Sequence, residues 1–203
     1  MKRYFQKSNP YLSDPDVQRM LDVQRGGKIA FEELMRHYYP RILNFIYRFV
    51  GNQSTAEDLT QEVFMRVYNN ARKYRPKSGF QTWIYTIAKN VALNDLRRGR
   101  RLVYSLDDPA DGDDHKIYRG SEDLKDISPD EKIIQKEKSV RIQAAISQLP
   151  ENQKIALILR RYEEFSYAEI AATLNISDKA VKSLLSRAMQ NLKNRLTDRF
   201  GPD

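Results

Sequence analysis

The stretch SYAEIAATLNISDKAVKSLLSRAMQNLK, residues 166–193, has the spacing of two short amphipathic helices joined by a tight polar turn. Asn175 lies in the turn, where its tolerance of left-handed backbone is useful, and Ser177 can cap the second helix. The apolar positions are Ile170, Ala171 and Leu174 in the first helix and Val181, Leu184, Leu185, Ala188 and Leu192 in the second. The pattern predicts a helix-turn-helix.

The second of these helices carries a polar face opposite its apolar stripe. Ammonium, guanidinium and hydroxyl groups on one face can reach both phosphates and base edges in a DNA groove. The predicted DNA-contacting residues are Lys179, Lys182, Ser183, Ser186 and Arg187. A solvated helix face would have a similar composition, but the preceding helix and turn favour a reading helix in the major groove.

Apolar residues upstream of this unit also recur at helical spacing. They are Val140, Ile146, Leu149, Ile155, Ile158 and Leu159. The spacing predicts two supporting helices that are joined at Leu149 and Pro150. Together with the helix-turn-helix they predict a four-helix DNA-binding domain.

The composition indicates a polyanionic partner, because the chain of 203 residues has a formal net charge of +8 and a pI near 9.5. The chain contains no cysteine, which excludes disulfide scaffolds and thiolate metal sites. The opening MKRYFQKSNPYLSDPD lacks the apolar core of a signal peptide. No stretch approaches the roughly 18 apolar residues of a membrane span. We expect a soluble cytoplasmic protein without membrane insertion, cofactor or metal.

Charge is distributed unevenly along the chain. Residues 1–101 carry 19 lysines and arginines against 9 aspartates and glutamates, residues 102–135 carry 4 against 10, and residues 136–203 carry 12 against 8. The middle segment combines Pro, Gly, Ser and carboxylates with almost no apolar periodicity, which is typical of a linker. The predicted organisation is an N-terminal extension at 1–21, a basic domain at 22–101, a flexible acidic linker at 102–135 and the helix-turn-helix domain at 136–203.

Helical patterns fill the rest of the chain, and strand-like alternation is absent. A serine precedes a glutamate or glutamine by three positions at Ser54, Ser78 and Ser166, which is the spacing of a capping box at a helix start. The first of these predicts a helix from Ser54 to about Asn70. We therefore expect an all-α protein made of two small helical domains.

The segment GFQTWIYTIAKNVALNDLRRGRR, residues 79–101, predicts a helix with an apolar stripe and a polar side. The apolar stripe, interpreted as core, consists of Phe80, Trp83, Ile84, Ile87, Ala88 and Val91. The polar side carries Tyr85, Thr86, Lys89, Asn90 and Asn94. Rings, amides and ammonium groups suit unpaired bases, which stack on aromatic side chains and expose hydrogen-bonding edges.

Basic residues flank this helix at both ends. The loop ARKYRPKSGF, residues 71–80, surrounds Tyr74 with cations and is suited to holding a nucleotide. Arginines at the far end suit phosphate contacts, although the helix dipole alone would favour cations there. The predicted nucleic-acid-binding residues of this domain are Arg72, Tyr74, Arg75, Lys77, Phe80, Lys89, Asn90, Asn94, Arg97 and Arg98.

The helix AEDLTQEVFMRVYNN, residues 56–70, carries an acidic face in an otherwise basic domain. Its members, Asp58, Gln61, Glu62 and Met65, follow helical spacing. DNA would repel this face, so it suits a basic protein partner, although the helix dipole also stabilises carboxylates near a helix start.

In this order, the segments resemble a bacterial RNA polymerase sigma factor of the compact extracytoplasmic-function group, from about Asp22 to Leu196. AEDLTQEVFMRVY is similar to the family's core-polymerase-binding helix, and FQTWIYTIAKNVALNDLRR resembles its helix that reads the minus-ten element. The segment from LPENQKIALILRRYEEF through the opening stretch resembles the domain that reads the minus-thirty-five element. The resemblance implies core polymerase (clamp and flap regions), promoter DNA and an anti-sigma factor as partners.

The resemblance also implies roles for individual residues. Asp58, Gln61 and Glu62 would dock on the polymerase clamp. Asn90 would lie near an extruded minus-ten base, in a pocket completed by the loop from Tyr74 to Phe80. Asp95, Arg97 and Arg98 would follow the adjacent duplex backbone, and Lys182, Ser183 and Arg187 would face the minus-thirty-five element.

The chain departs from the family pattern at Ala180, Leu184 and Lys154. The first two lie in the helix that would read the minus-thirty-five element, so they bear on which promoter is recognised. By the same resemblance, the acidic linker would thread through polymerase channels that later hold RNA.

Two other classes of protein compete with this interpretation. A stand-alone dimeric helix-turn-helix regulator would recognise two half-sites, but it leaves the acidic face and the N-terminal domain unexplained. A nucleic-acid enzyme is disfavoured, because His37 and His115 are accompanied by neither a phosphate-binding glycine loop nor metal-ligand spacing.

Overall fold

The computed structural model describes residues 9–103 and 141–200, and every regular element in these two ranges is helical. The N-terminal module contains α1 (Pro15–Gln24), α2 (Lys28–Val50), α3 (Gln53–Asn69) and α4 (Phe80–Val103), with 3-10 turns at Pro10–Ser13 and Ala71–Lys73. The C-terminal module begins with helical residues 141–147 and continues with α5 (Glu151–Tyr162), α6 (Tyr167–Leu174) and α7 (Asp178–Phe200). The predicted all-α class is confirmed for these residues, whereas His115, Val140 and most of the predicted acidic linker lie outside them.

The core of the N-terminal module is organised around α2, which packs against α1, α3 and α4. Its buried residues recur every three or four positions, as the helical period requires when one face is covered. They include Leu34, Tyr38, Ile42, Phe45, Ile46 and Phe49. From α4, the predicted core residues Phe80, Ile84, Ala88 and Val91 are buried, and Trp83 and Ile87 pack at the edge of the cluster.

Two of the three predicted capping boxes are wrong. Asn52 caps α3 by accepting a hydrogen bond from the Thr55 amide at 2.9 Å, so this helix begins one residue before Ser54. At α4, the Phe80 amide donates to Asp14 of the N-terminal segment at 3.0 Å, and Ser78 instead bonds the carbonyl of Gly79. Asn52 is a local N-cap residue two positions before the predicted one, whereas the cap of α4 comes from a side chain 66 positions away, which a short sequence pattern cannot report. The capping box at Ser166 and Glu169 is confirmed.

The helix-turn-helix forms as predicted. Asn175 adopts the left-handed conformation, with φ of 56°, and the Ser177 hydroxyl accepts from the Ala180 amide at 3.2 Å. Ile170, Val181 and Ala188 are buried, as are Ile155 and Ile158 of the supporting helix α5.

The two modules also pack against each other, with α5 against α2 and α6 against α4. This packing corrects the assignment of Tyr85 to an accessible polar side of α4. Its ring is fully buried between Phe45 of its own module and Phe165 of the other.

Candidate functional surfaces

The acidic face of α3 is accessible. Asp58, Gln61 and Met65 are exposed and Glu62 is half-buried, while the opposite side of the helix faces the core. Glu62 also pairs with Arg66 on the next turn, at 2.5 Å from Nη2 to Oε1. A surface ion pair of this kind contributes about 0.3–0.5 kcal/mol to the free energy of unfolding. The face therefore offers a protein partner two carboxylates, one of them shared with an arginine, beside an exposed methionine.

The loop at 71–79 is held by residues from the start of the described chain. Gln24 donates from its side-chain amide to the carbonyls of Ala71, Arg72 and Tyr74, at 3.0–3.2 Å. Asn9 donates to the carbonyl of Pro76 at 2.7 Å. Sequence reasoning missed both residues and the Asp14 cap. Asp14 followed by Pro15 is the usual start of a helix. This pair could have predicted where α1 begins, but not that Asp14 accepts a hydrogen bond from the Phe80 amide.

A cleft of about 380 Å³ lies between this loop and the first turns of α4. Its lining combines cations and aromatic rings and consists of Asn70, Lys73, Tyr74, Arg75, Lys77, Ser78, Trp83 and Ile87. The Tyr74 and Trp83 rings meet edge to face, with 4.7 Å between their centroids. Tyr74 is only 2% exposed, so the predicted contact of its ring with a nucleotide is not available at the surface. Its hydroxyl is buried without a hydrogen-bond partner in the described ranges, and burial raises its pKa to about 12.

The face of α4 that carries Trp83 and Ile87 extends beyond the cleft. Positions 83, 87, 90, 94 and 97 are separated by alternating steps of four and three residues, so they lie on one side of the helix. Asn90, Asn94 and Arg97 are exposed on this face, beyond the Trp83 edge of the cleft, and Arg98 is exposed beside them. Four predicted nucleic-acid contacts are therefore grouped with the predicted loop residues Tyr74, Arg75 and Lys77, while Arg72 is exposed just outside the cleft.

Two other predicted contacts lie elsewhere. Phe80 is fully buried in the core, so it supports the loop from inside and offers no surface to a base. Lys89 is turned toward the C-terminal module, where its ammonium donates to the carbonyl of Thr173 at 2.8 Å. Burial lowers the pKa of this lysine.

On α7, the predicted reading residues form an exposed face. Lys179, Lys182, Ser183, Ser186 and Arg187 are all exposed, and Val181, Leu185 and Ala188 are buried behind them. Two residues of α7 depart from the family pattern. Leu184 packs against the core, and Ala180 is half-buried at the start of the helix.

A groove of about 540 Å³ lies on the C-terminal module. It is lined by Leu157, Arg160, Arg161, Glu164, Tyr167, Leu185 and Met189. Met189 and Tyr167 are exposed, so the groove presents apolar surface beside two guanidinium groups.

Within residues 9–103 and 141–200, no helix combines the length and apolarity needed to cross a membrane. The same residues contain no group of three or more His, Asp or Glu side chains arranged to hold a metal ion.

Both modules match models of known protein families. Residues 34–102 match the model of Sigma-70 region 2, and residues 139–192 match that of Sigma-70, region 4. The first match covers the N-terminal domain that a stand-alone helix-turn-helix regulator leaves unexplained, so the regulator alternative is not favoured.

Relatives align with this chain over most of its length. The RNA polymerase sigma-H factor of Pseudomonas aeruginosa is 37% identical, and the alignment covers 90% of this chain and 94% of the relative. The ECF RNA polymerase sigma factor SigW of Bacillus subtilis is 30% identical over 89% of this chain and 96% of its own. The ECF RNA polymerase sigma-E factor of Escherichia coli is 31% identical, over 86% of this chain and 90% of the relative.

Solved structures share the fold. The sigma factor RpoE of Bartonella quintana, in complex with the anti-sigma factor NepR, aligns with a TM-score of 0.64 at 24% identity, over 82% of this chain and 96% of that one. CnrH, in complex with the cytosolic domain of CnrY, aligns with a TM-score of 0.66 at 19% identity, over 92% of this chain and 99% of that one. Two matched sigma-70 regions and relatives that align over most of their length show that the chain belongs to the extracytoplasmic-function sigma factors, which bind core RNA polymerase, direct it to promoters and help to open the minus-ten region.

Proposed function

We propose that the chain performs this function through three surfaces, and that the acidic face of α3 is the one that binds the polymerase clamp. Asp58, Gln61, Glu62 and Met65 offer carboxylates, an amide and an exposed thioether on one side of one helix. A basic clamp surface is complementary to them in charge, which speeds association and selects the partner.

The second surface is the cleft beside α4, which captures an extruded base of the minus-ten element. Trp83 supplies a half-buried ring for stacking, and Tyr74, which is 2% exposed, supports that ring edge to face. Asn90 lies next along the helix and can bond a base edge. Extruding a base costs only a few kcal/mol, which stacking and hydrogen bonding in such a cleft can offset.

The cations around this cleft position the DNA. Arg72, Arg75 and Lys77 are exposed at or just outside the cleft, and Arg97 and Arg98 are exposed further along α4. Contacts of this kind go to phosphates and carry no sequence information, and they make binding sensitive to salt. Asn94 lies between the two groups, where an amide can bond either a phosphate or a base.

The third surface is the exposed face of α7, which reads the minus-thirty-five element in the major groove. Arg187 has the fork geometry that pairs with guanine, and Lys179, Lys182, Ser183 and Ser186 provide phosphate and base contacts around it. Leu184 packs inward, so this position of α7 contributes core packing and no DNA contact.

The groove between α5, α6 and α7 is suited to a further protein contact. Its apolar floor and its guanidinium groups fit an amphipathic helix with acidic flanks, and we assign it to the polymerase flap. The sigma factor RpoE of Bartonella quintana, which shares this fold, binds the anti-sigma factor NepR, so we include an anti-sigma factor among the partners of this chain.

The matches to both sigma-70 regions carry this proposal. The protein works as a non-catalytic initiation factor in the cytoplasm, with modules at 22–101 and 136–203. Run-off transcription of fragmented genomic DNA with core polymerase tests it. We expect discrete transcripts that depend on this chain and share two upstream elements; transcripts that are unchanged in its absence would contradict the proposal.

A further inference from the structure

The loop at residues 71–79 forms one wall of the cleft beside α4. Two of its backbone bonds are local: the Tyr74 amide donates to the Ala71 carbonyl at 3.0 Å, and the Lys77 amide donates to the Arg75 carbonyl at 2.9 Å. Bonds of this range shape turns, but they do not fix where a loop lies on the protein. The position of this wall therefore depends on contacts with other elements.

Gln24, the last residue of α1, connects the loop to that helix. Its side-chain nitrogen lies 3.2 Å from the Ala71 carbonyl oxygen, 3.0 Å from that of Arg72 and 3.2 Å from that of Tyr74. An amide nitrogen carries two hydrogens, so the three acceptors share them. Carbonyl oxygens that converge on one atom require a donor there, and a carboxylate in its place would be repelled.

Helix α1 is a firm support for this contact. Val17 and Met20 are fully buried in the core of the N-terminal module. Asp16, on another side of the helix, accepts a hydrogen bond from the Tyr38 hydroxyl of α2 at 2.7 Å. Because close packing leaves such a helix little freedom to shift, the loop that Gln24 holds takes its position from the core of the module.

Asp14 places the other end of the loop. One of its carboxylate oxygens accepts from the Asp16 amide at the start of α1, at 2.9 Å, and the other accepts from the Phe80 amide at the start of α4, at 3.0 Å. A Cβ atom at Gly79 would lie 3.3 Å from this second oxygen, so glycine leaves room for it. The same carboxylate caps two helices and fixes the point where the loop joins α4.

We propose that Gln24 is a positioning residue for base capture. It holds the loop in the shape that receives the extruded minus-ten base, and it thereby sets the selectivity of the cleft without touching DNA. Gln24 lies behind the loop and is not part of the cleft lining, so its effect on selectivity acts through the loop. A preformed cleft binds its ligand without the entropic cost of ordering the loop. This inference rests on the proposed capture of a minus-ten base by the cleft.

Substitutions of Gln24 separate the hydrogen-bond donor from the size of the side chain. Gln24→Glu keeps the size but directs a carboxylate at three carbonyl oxygens, and it should displace the loop. Gln24→Lys places an ammonium with three donors at a similar reach, and it should keep the loop in position. Gln24→Ala removes the donors without adding a charge.

Gln18→Glu is the matched control, because it makes the same change on the same helix. Gln18 is exposed, and its side chain donates to the Leu12 carbonyl at 2.6 Å, outside the loop. Circular dichroism checks that each variant keeps its helices.

The position of the loop is measured in the free full chain. Trp83 is the single tryptophan of the sequence, and Tyr74 of the loop packs against its ring with 4.7 Å between centroids. Quenching of its fluorescence by acrylamide therefore reports whether the loop still covers the ring. We expect stronger quenching in Gln24→Glu and Gln24→Ala, and native quenching in Gln24→Lys and Gln18→Glu.

Base selectivity is measured with holoenzyme on fork-junction fragments of a promoter recovered by run-off transcription. The minus-ten element is single-stranded in these fragments, and the captured base is varied among the four. The ratio of affinities for the preferred base and the others cancels phosphate contacts, which carry no sequence information. We expect Gln24→Glu to lower this ratio by about tenfold, as loss of one or two hydrogen bonds would. Gln24→Lys should preserve it.

Native quenching, or a native ratio, in both Gln24→Glu and Gln24→Ala would overturn the inference. A loss of selectivity in Gln18→Glu equal to that in Gln24→Glu would also overturn it, because added charge alone would then explain the effect. A native holoenzyme with no preference among the four bases would instead overturn the proposed base capture, and the quenching measurements do not depend on that result.

Discussion

The hydroxyl of Tyr85 donates a hydrogen bond to the carboxylate of Glu163 across 78 positions of the chain, and this bond joins the two modules. Arg41 approaches the same carboxylate oxygen from α2. A buried carboxylate without such partners would be strongly unfavourable, so the three side chains depend on one another. This mutual dependence makes the relative position of the modules sensitive to single substitutions and to pH.

The packing of the two modules against each other should weaken as pH rises. Burial raises the pKa of Glu163 above its ordinary value of 4.5, although Tyr85, Arg41 and Arg48 act in the opposite direction. In the open chain the carboxyl is hydrated and returns toward that value, so the closed state binds the proton more tightly. The contribution of this proton is complete below about pH 4.5 and is lost as pH rises through the raised pKa. Energy transfer between dyes on Glu32→Cys and Thr197→Cys, both at exposed positions, measures the separation of the modules across this pH range.

The control for this pH effect is Glu163→Gln, which keeps a hydrogen-bonding side chain but does not titrate. We expect its closed fraction to vary less with pH than that of the native chain. An equal pH dependence in both would assign the effect to other carboxylates.

Asp58 should be the main charge of the polymerase-binding face. Glu62 shares its carboxylate with Arg66, whereas Asp58 has no ion pair within the described residues. We expect Asp58→Lys to weaken binding of core polymerase by about 1–3 kcal/mol, and Glu62→Lys by less. Sedimentation or gel filtration with core polymerase measures both. Glu33→Lys is the matched control, because Glu33 pairs with Arg19 on the α1 side of α2; an equal loss from this control would contradict the assignment.

Asn90 and Lys89 are adjacent in sequence but point about 100° apart around α4, and they should differ in their effects. Asn90→Ala should reduce discrimination at one minus-ten position by about 1–3 kcal/mol. Lys89→Ala should instead weaken binding to all sequences alike, because an ammonium released from Thr173 contacts phosphates. Holoenzyme binding to a set of single-base promoter variants separates the two patterns. A sequence-independent loss for Asn90→Ala would exclude it from the base pocket.

Substitutions of Arg187 and Lys179 should distinguish base recognition from phosphate binding on α7. We expect Arg187→Ala to cost about 1–3 kcal/mol at one base pair of the minus-thirty-five element. Lys179→Ala should weaken binding uniformly and reduce the slope of log affinity against log salt by about one. Titrations of promoter fragments at several salt concentrations provide both quantities. Two uniform losses would mean that Arg187 also binds the backbone.

Glu164 is a site where a substitution should stabilise the protein. It is exposed and has a φ of 57°, a conformation that disfavours side chains with a Cβ atom. We expect Glu164→Gly to raise the free energy of unfolding by roughly 0.5–1 kcal/mol. Thermal unfolding followed by circular dichroism measures the gain. Glu164→Ala removes the same side chain but keeps Cβ, so an equal gain from alanine would refute this explanation.

Residues near helix ends show where sequence patterns were sufficient and where they were not. Ser166 and Glu169 cap α6 as predicted, because both partners of that box lie within four residues. The cap of α4 comes from Asp14, 66 positions away, and the loop beside it is held by Gln24. No local pattern contains such information, so the cleft was predicted from its own loop residues without the side chains that shape it.

The sequence by itself determined the helices, the helix-turn-helix and the separation of acidic and basic faces, because helical periodicity and charge are properties of neighbouring residues. Only the tertiary structure decided where Tyr85 and Lys89 point. Both were predicted to face nucleic acid, and both instead face the C-terminal module. Periodicity shows that a side chain lies on a given side of a helix, but which surface covers that side depends on contacts between residues that are distant in sequence.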